Sequence, residues 1–257
     1  MKILKKTAAA LCAAMTISVA ASAAPLAPEL QIDILTKTAM VYDGWFVLPE
    51  RDRDADVWMY AITDLDRNGR LEVLKVKRGW VEGGPMLLCK ELDESGQTLN
   101  GELALDGTAV PDILARTENY GQPISVLYDA KNKIWHYIFE ETIYHGEYES
   151  LSTKYALTFS DGTLLVTPLA HFQWILSGRE GGVKKRYFLP LRGKDAGKEI
   201  SAARYENIEK EEFPGCEFRG VTFLWRSAED LKTAASNGEL RKSLAESFVC
   251  FADEGKG

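Results

Sequence analysis

Apolar residues recur along this chain at two different periods, and the change of period divides it. Between residues 29 and 46, Leu30, Ile32, Ile34, Leu35, Ala39 and Met40 fall at roughly helical intervals, which predicts one amphipathic helix. From Val57 onward the apolar runs become short and are bounded by turn residues, the pattern of strands. Residues 57–63 and 71–77 flank Asn68-Gly69, and residues 124–128 and 134–140 flank a polar run at 129–133. Residues 155–159 and 164–170 flank Asp161-Gly162, a pair that readily supplies the positive φ of a tight hairpin. Residues 172–176 and 185–189 are set to pair across a glycine-containing connection. Hairpins in series predict antiparallel pairing, because parallel neighbours need a long crossover between them.

The C-terminal sixty residues return to a helical texture. Ser201 is a good N-cap, with Ile200 and Tyr205 placed as a hydrophobic staple around it, and Pro214 ends that helix. Residues 221–225 read as a strand. Ser227 and Asp230 form a capping-box variant that opens a second helix, and Asn237-Gly238 breaks it. Leu240, Leu244, Phe248 and Phe251 mark a final amphipathic helix. The fold class expected is α+β: an antiparallel β-meander of hairpins, with an N-terminal helix and C-terminal helices, in one domain over residues 24–257.

The N-terminus carries a different signal. Lys2, Lys5 and Lys6 precede an apolar run of about 14 residues, which leads to Ala21-Ser22-Ala23. A basic end, a short apolar stretch and an A-x-A exit describe a signal peptide over residues 1–23, while a bilayer-spanning helix needs about 20 residues. Cys12 lies within the apolar run after the bulky Leu11 and is read as part of the discarded peptide. The product is expected to be secreted or periplasmic, with no stable membrane span after cleavage.

Loss of the three lysines takes the net charge from −7 to −10. So acidic a surface repels phosphate backbones, which argues against nucleic acid and leaves cations, sugars or basic proteins as partners. Cys89, Cys216 and Cys250 remain, too few for more than one internal disulfide. An oxidising compartment permits the bond, and Cys216 with Cys250 is the favoured pairing; three buried thiols are the alternative.

One motif has sharp chemistry. Asp64, Asp66, Asn68, Gly69 and Glu72 spell D-x-D-x-N-G-x-x-E. Alternate side-chain oxygens at Asp64, Asp66 and Asn68 converge if the chain curls, Gly69 permits the curl, and the Arg70 carbonyl and Glu72 complete five oxygen donors. An all-oxygen, flexible cage suits Ca²⁺ over Mg²⁺ and over softer metals. In the EF-hand frame the twelfth position is Lys75 instead of a bidentate Glu, and the preceding segment reads as a strand. The loop therefore resembles the shorter strand-loop-strand calcium loops of integrin-type and related extracellular β proteins. Such sites bind weakly, with dissociation constants on the order of 10⁻⁴ to 10⁻³ M, and the ion's expected role is to pin the hairpin. The competing reading is an ordinary turn whose aspartates bond their own backbone.

The stretch from Tyr60 to Glu72, together with Glu199-Ile200-Ser201 and Tyr205, resembles a group of uncharacterised secreted proteins of intestinal bacteria. The resemblance implies export and the metal loop, and it carries over no activity.

Other constellations weigh less. His136, His145 and His171 show no metal-ligand spacing, and no G-x-S-x-G elbow is present. Glu140-Glu141 offers carboxylates for glycoside hydrolysis, though acids are numerous here. Asp52, Asp54 and Asp56 alternate among Arg51 and Arg53 and read as a solvated loop. Lys184-Lys185-Arg186 is too short a basic run to imply a polyanion site, and strand-edge protection explains it as well. Of six tryptophans, Trp58, Trp135, Trp174 and Trp225 sit in apolar strands and are assigned to the core, while Trp80 is a candidate sugar platform. The function expected is a non-enzymatic binding or structural module with a Ca²⁺-stabilised hairpin loop, its ligand a protein or glycan. A secreted hydrolase of glycan or cell-wall material is the alternative.

Overall fold

The structure, a computed structural model, describes residues 26–39, 45–46, 58–77, 86–96, 98–100, 104–106, 123–160, 163–177 and 182–252. The signal segment, Asp52, Asp54, Asp56 and Trp80 lie outside the described residues. The expected α+β class is present: among the described residues there are two sheets dominated by antiparallel pairs, a helix near the N-terminus and helices at the C-terminus.

The first helix, α1 (Pro28–Thr38), starts with proline, whose fixed φ suits a first turn. It is shorter than the expected 29–46 and buries Gln31, Ile32 and Leu35. Strands β1 (Trp58–Thr63), β2 (Glu72–Lys77) and β3 (Met86–Glu91) form a meander, and the two-residue β12 (Arg226–Ser227) adds to the free edge of β1. This four-stranded sheet is separate from the rest. The expected antiparallel hairpins are thus distributed over two sheets.

The larger sheet holds β5 (Pro123–Asp129), β6 (Ile134–Tyr144), β7 (Glu149–Ser160), β8 (Thr163–Ser177), β9 (Gly182–Phe188), β10 (Glu199–Ile200) and β11 (Glu217–Thr222), with β4 (Ala104–Asp106) pairing parallel to the start of β8. Segments 164–170 and 172–176, expected as two strands, are one strand of 15 residues. Pro168 is tolerated inside it because β9 pairs only from His171 onward and β4 only up to Leu165, so no ladder bond is required of Pro168 on that side. A register shift in β7 at Lys154/Tyr155 accommodates the same place.

The expected helix after Ser201 is two short ones, α2 (Ala202–Glu206) and α3 (Ile208–Glu212), with Ser201 Oγ accepting from the Arg204 N–H. The capping box at Ser227 and Asp230 is made in both directions and opens α4 (Ala228–Ser236); α5 (Leu240–Ala252) follows the break at Gly238.

Three apolar clusters set the layering. Met59, Ala61, Leu74 and Val76 of the small sheet meet Tyr137, Phe139, Leu157 and Val166 of the large one, so the sheets pack face to face. The outer face of the small sheet, with Tyr60, Ile62 and Val73, is covered by α1, α4 and α5. The outer face of the large sheet, with Leu127, Ile138 and Ala156, is covered by Tyr205 of α2 and Ile208 of α3. Cys89 and Cys216 are free thiols, so the favoured Cys216–Cys250 bridge is not made. Cys216 packs on the outer face of the large sheet, whereas the helix that carries Cys250 packs on the opposite side, against β1.

Candidate metal centre

The β1–β2 hairpin carries the loop. Thr63 opposite Glu72 is the last pair of its ladder, so residues 64–71 form the connection. Aspartates at alternate positions fold such a loop by capturing backbone N–H groups ahead of them. Asp64 Oδ2 accepts from the Gly69 N–H at 3.1 Å, and Asp66 Oδ1 accepts from the Asn68 N–H at 3.2 Å. The chain reverses through Arg67 at φ 56° and Gly69 at φ 85°, left-handed values that glycine takes without steric cost.

This curl brings Asp64, Asp66 and Glu72 together, with one carboxylate oxygen from each within 4.8 Å of the others. That acidic cluster could hold a metal ion. Asp64 is 8% exposed and Glu72 fully buried, at the end of the interface between the two sheets. Glu72 Oε2 accepts from Thr63 Oγ1 at 2.9 Å and from the Leu65 N–H at 2.8 Å, while Oε1 meets no donor. Asp64 Oδ1 is likewise buried without a partner. Burial, then the neighbouring Asp66 charge, raises the Asp64 carboxyl to about 6. Burial and the charges of Asp64 and Asp66 drive Glu72 well above the ordinary range, and burial also lifts Asp66.

The expected donor Asn68 behaves differently. Asn68 turns its amide nitrogen, not its oxygen, to Asp66 Oδ2 at 3.0 Å, and its Oδ1 accepts from the Arg70 N–H at 2.7 Å. The side chain of Arg70 leaves the cluster to pair with Glu91 at 2.8 Å. Arg67 also turns away, its guanidinium lying 4.5 Å from the Phe251 ring centroid and 5.2 Å from that of Trp135.

Three residues absent from the sequence reading hold the loop. Glu91 stands directly opposite Glu72 across β2–β3 and accepts from Asn68 Nδ2 at 2.7 Å, a like-charge pairing offset by Arg70. Gln31 of α1 donates to the Gly69 carbonyl at 2.7 Å and accepts from the Leu71 N–H at 2.8 Å. Tyr137 of β6 donates its hydroxyl to the Leu65 carbonyl at 2.6 Å. A glutamine between Leu30 and Ile32 in an amphipathic helix was the available sign of Gln31. For Glu91, in an apolar run, pairing partners were needed.

Among the described residues no histidine joins a metal cluster. His136 Nδ1 lies 2.7 Å from Thr158 Oγ1, with its ring stacked on Phe213, and His171 Nδ1 lies 2.8 Å from Thr153 Oγ1. Glu140 is exposed. Trp135 and Trp225 are in the core, and Trp174 is only half-buried. No helix among the described residues is long and apolar enough to cross a membrane. No protein-family model, curated protein or solved structure matches the chain.

Proposed function

We propose that this is an exported, secreted or periplasmic, non-enzymatic binding or structural module whose β1–β2 hairpin is stabilised by one Ca²⁺ at Asp64, Asp66, Asn68, the Arg70 carbonyl and Glu72. The observation that carries the reading is the pair of buried carboxylate oxygens, Asp64 Oδ1 and Glu72 Oε1, left without a donor beside Asp66. A buried anion with an unfilled lone pair is costly, and a hard divalent cation is the partner that offsets several such charges at once. Each of these two carboxylates spends its other oxygen on the loop's own backbone, so its geometry is set before an ion arrives. Asn68 becomes a ligand by turning its amide about χ2, which gives up the bonds to the Arg70 N–H, Asp66 and Glu91. Calcium is favoured over magnesium because carboxylates, an amide and a carbonyl make an irregular oxygen shell, not an octahedron of short bonds.

Thermal melting of the chain with and without calcium tests this. With a dissociation constant on the order of 10⁻⁴ to 10⁻³ M, about 10 mM Ca²⁺ stabilises by roughly 1.4 to 2.7 kcal/mol and raises Tm by about 3 to 10 °C. Asp66→Ala is expected to lose that rise. No rise in the wild-type chain refutes the metal site, and an equal rise with Mg²⁺ refutes the assignment to calcium.

A further inference from the structure

The far end of the large sheet is built unlike its centre. Residues directly opposite one another on antiparallel strands share a face, so the register defines cross-strand rows. One row runs Tyr144, Ser150, Trp174 and Lys185; the next, one pleat inward, runs Thr142, Ser152, Phe172 and Tyr187. Both belong to the face that α2 and α3 cover further in, where Tyr205 meets Phe172 and Tyr187. The outer row lies beyond that cover. Tyr144 is 68% exposed and Trp174 half-buried, while Ser150 between them is only 8% exposed. Two large rings thus flank a small hydroxyl residue across two strand spacings, ~10 Å.

We propose that this outer row is a carbohydrate-binding surface for an acidic, uronate-containing glycan, with Tyr144 and Trp174 as platforms for sugar rings and Lys185 as the carboxylate partner. The inference deepens the binding-module reading and rests on it, but it needs no ion in the loop. Aromatic faces suit the apolar C–H faces of pyranose rings, and Tyr and Trp offer that area with few rotors to freeze. The charge argument selects the acidic class. In a chain with a net charge of −7, the two rows contain one cation, Lys185, and no carboxylate. Lys184 and Arg186, the neighbours of Lys185 along β9, alternate to the opposite face, where Arg186 pairs at 3.5 Å with Glu199, so the carboxylate partner is Lys185 alone. Strand-borne side chains hold such an array in fixed geometry, as a binding site requires.

The test is calorimetric titration of the full mature chain, in chelator, with a hyaluronan octasaccharide and with a neutral dextran oligosaccharide of equal length. Hyaluronan is expected to bind and dextran not. Tyr144→Ala and Trp174→Ala should each weaken binding about tenfold, and Trp174→Phe, which keeps a ring and the fold, should retain most of it. Lys185→Gln should weaken binding and flatten its salt dependence. Absence of hyaluronan binding overturns the proposal, as does equal binding of dextran or affinity indifferent to Tyr144→Ala and Lys185→Gln. Because the titration is run without calcium, its failure leaves the melting response of the loop untouched, and failure of the melting response leaves this result standing.

Discussion

At Asp64 the cost of the loop is concentrated in a single ionisation. Its carboxyl titrates near 6 in the folded chain, above its ordinary value of 3.8, so between those pH values the folded chain keeps a proton that the unfolded chain releases. Stability without metal is therefore fully present below pH ~4 and declines as pH rises to about 6. A shift of about two units corresponds to on the order of 3 kcal/mol by pH 7. Glu72, raised in the same direction by burial, adds to the slope. Urea midpoints in chelator should fall between pH 4.5 and 7, less steeply for Asp64→Asn, and calcium should restore the wild-type midpoint at pH 7. A midpoint that rises over that range contradicts the assignment. Gly69 is a second single-residue dependence. At φ 85° a side chain is strained, so Gly69→Ala is expected to lower stability by about 1 to 2 kcal/mol in the same assay.

Among the elements, α1 is more than cover for the outer face of the small sheet. Its Gln31 bonds both the carbonyl of Gly69 and the N–H of Leu71, so the helix is tied to the turn of the hairpin. Gln31→Ala leaves two backbone groups of the loop without partners and is expected to cost about 1 to 3 kcal/mol, seen as a lower urea midpoint. A Gln31→Glu variant returns only the bond from Leu71 and sets an acceptor against the Gly69 carbonyl, so it should be no better. The start of α4 is the opposite case, a local device with a local cost. Ser227→Ala removes the acceptor for the Asp230 N–H and should destabilise by about 1 kcal/mol without altering the response to calcium.

For the whole molecule, the decisive feature is that the two sheets share one interior. Leu74 and Val76 from the small sheet and Tyr137 and Leu157 from the large one lie in the same buried cluster, and Phe251 of α5 closes it. Leu74 is fully buried there, so Leu74→Ala should cost about 2 to 5 kcal/mol. Because the interior is common, both sheets should melt in one transition. Amide exchange that follows β2 and β7 in the same sample should show their protection lowered together by Leu74→Ala, and independent loss of the small sheet alone would contradict a shared core.

Much of this was legible in the chain because it depends on neighbours in sequence. The D-x-D-x-N-G spacing places Asp64, Asp66 and Gly69 in one turn whatever surrounds them, since the bonds that fold it run from each side chain to backbone a few residues ahead. The hairpins at 58–77 and 123–144 and the cap at Ser227 follow equally local rules. Contacts made across long stretches of chain were not legible. Nothing in the order of residues sets Glu91 opposite Glu72, brings Gln31 to Leu71, or divides one run of hairpins into two facing sheets. The amino-acid sequence by itself determined which segments turn, cap and extend, because those preferences are paid within a few residues of backbone. The tertiary structure alone decided that Asp64 and Glu72 are buried and that Tyr144 and Trp174 share a face, because burial and cross-strand register depend on what the rest of the chain packs against them.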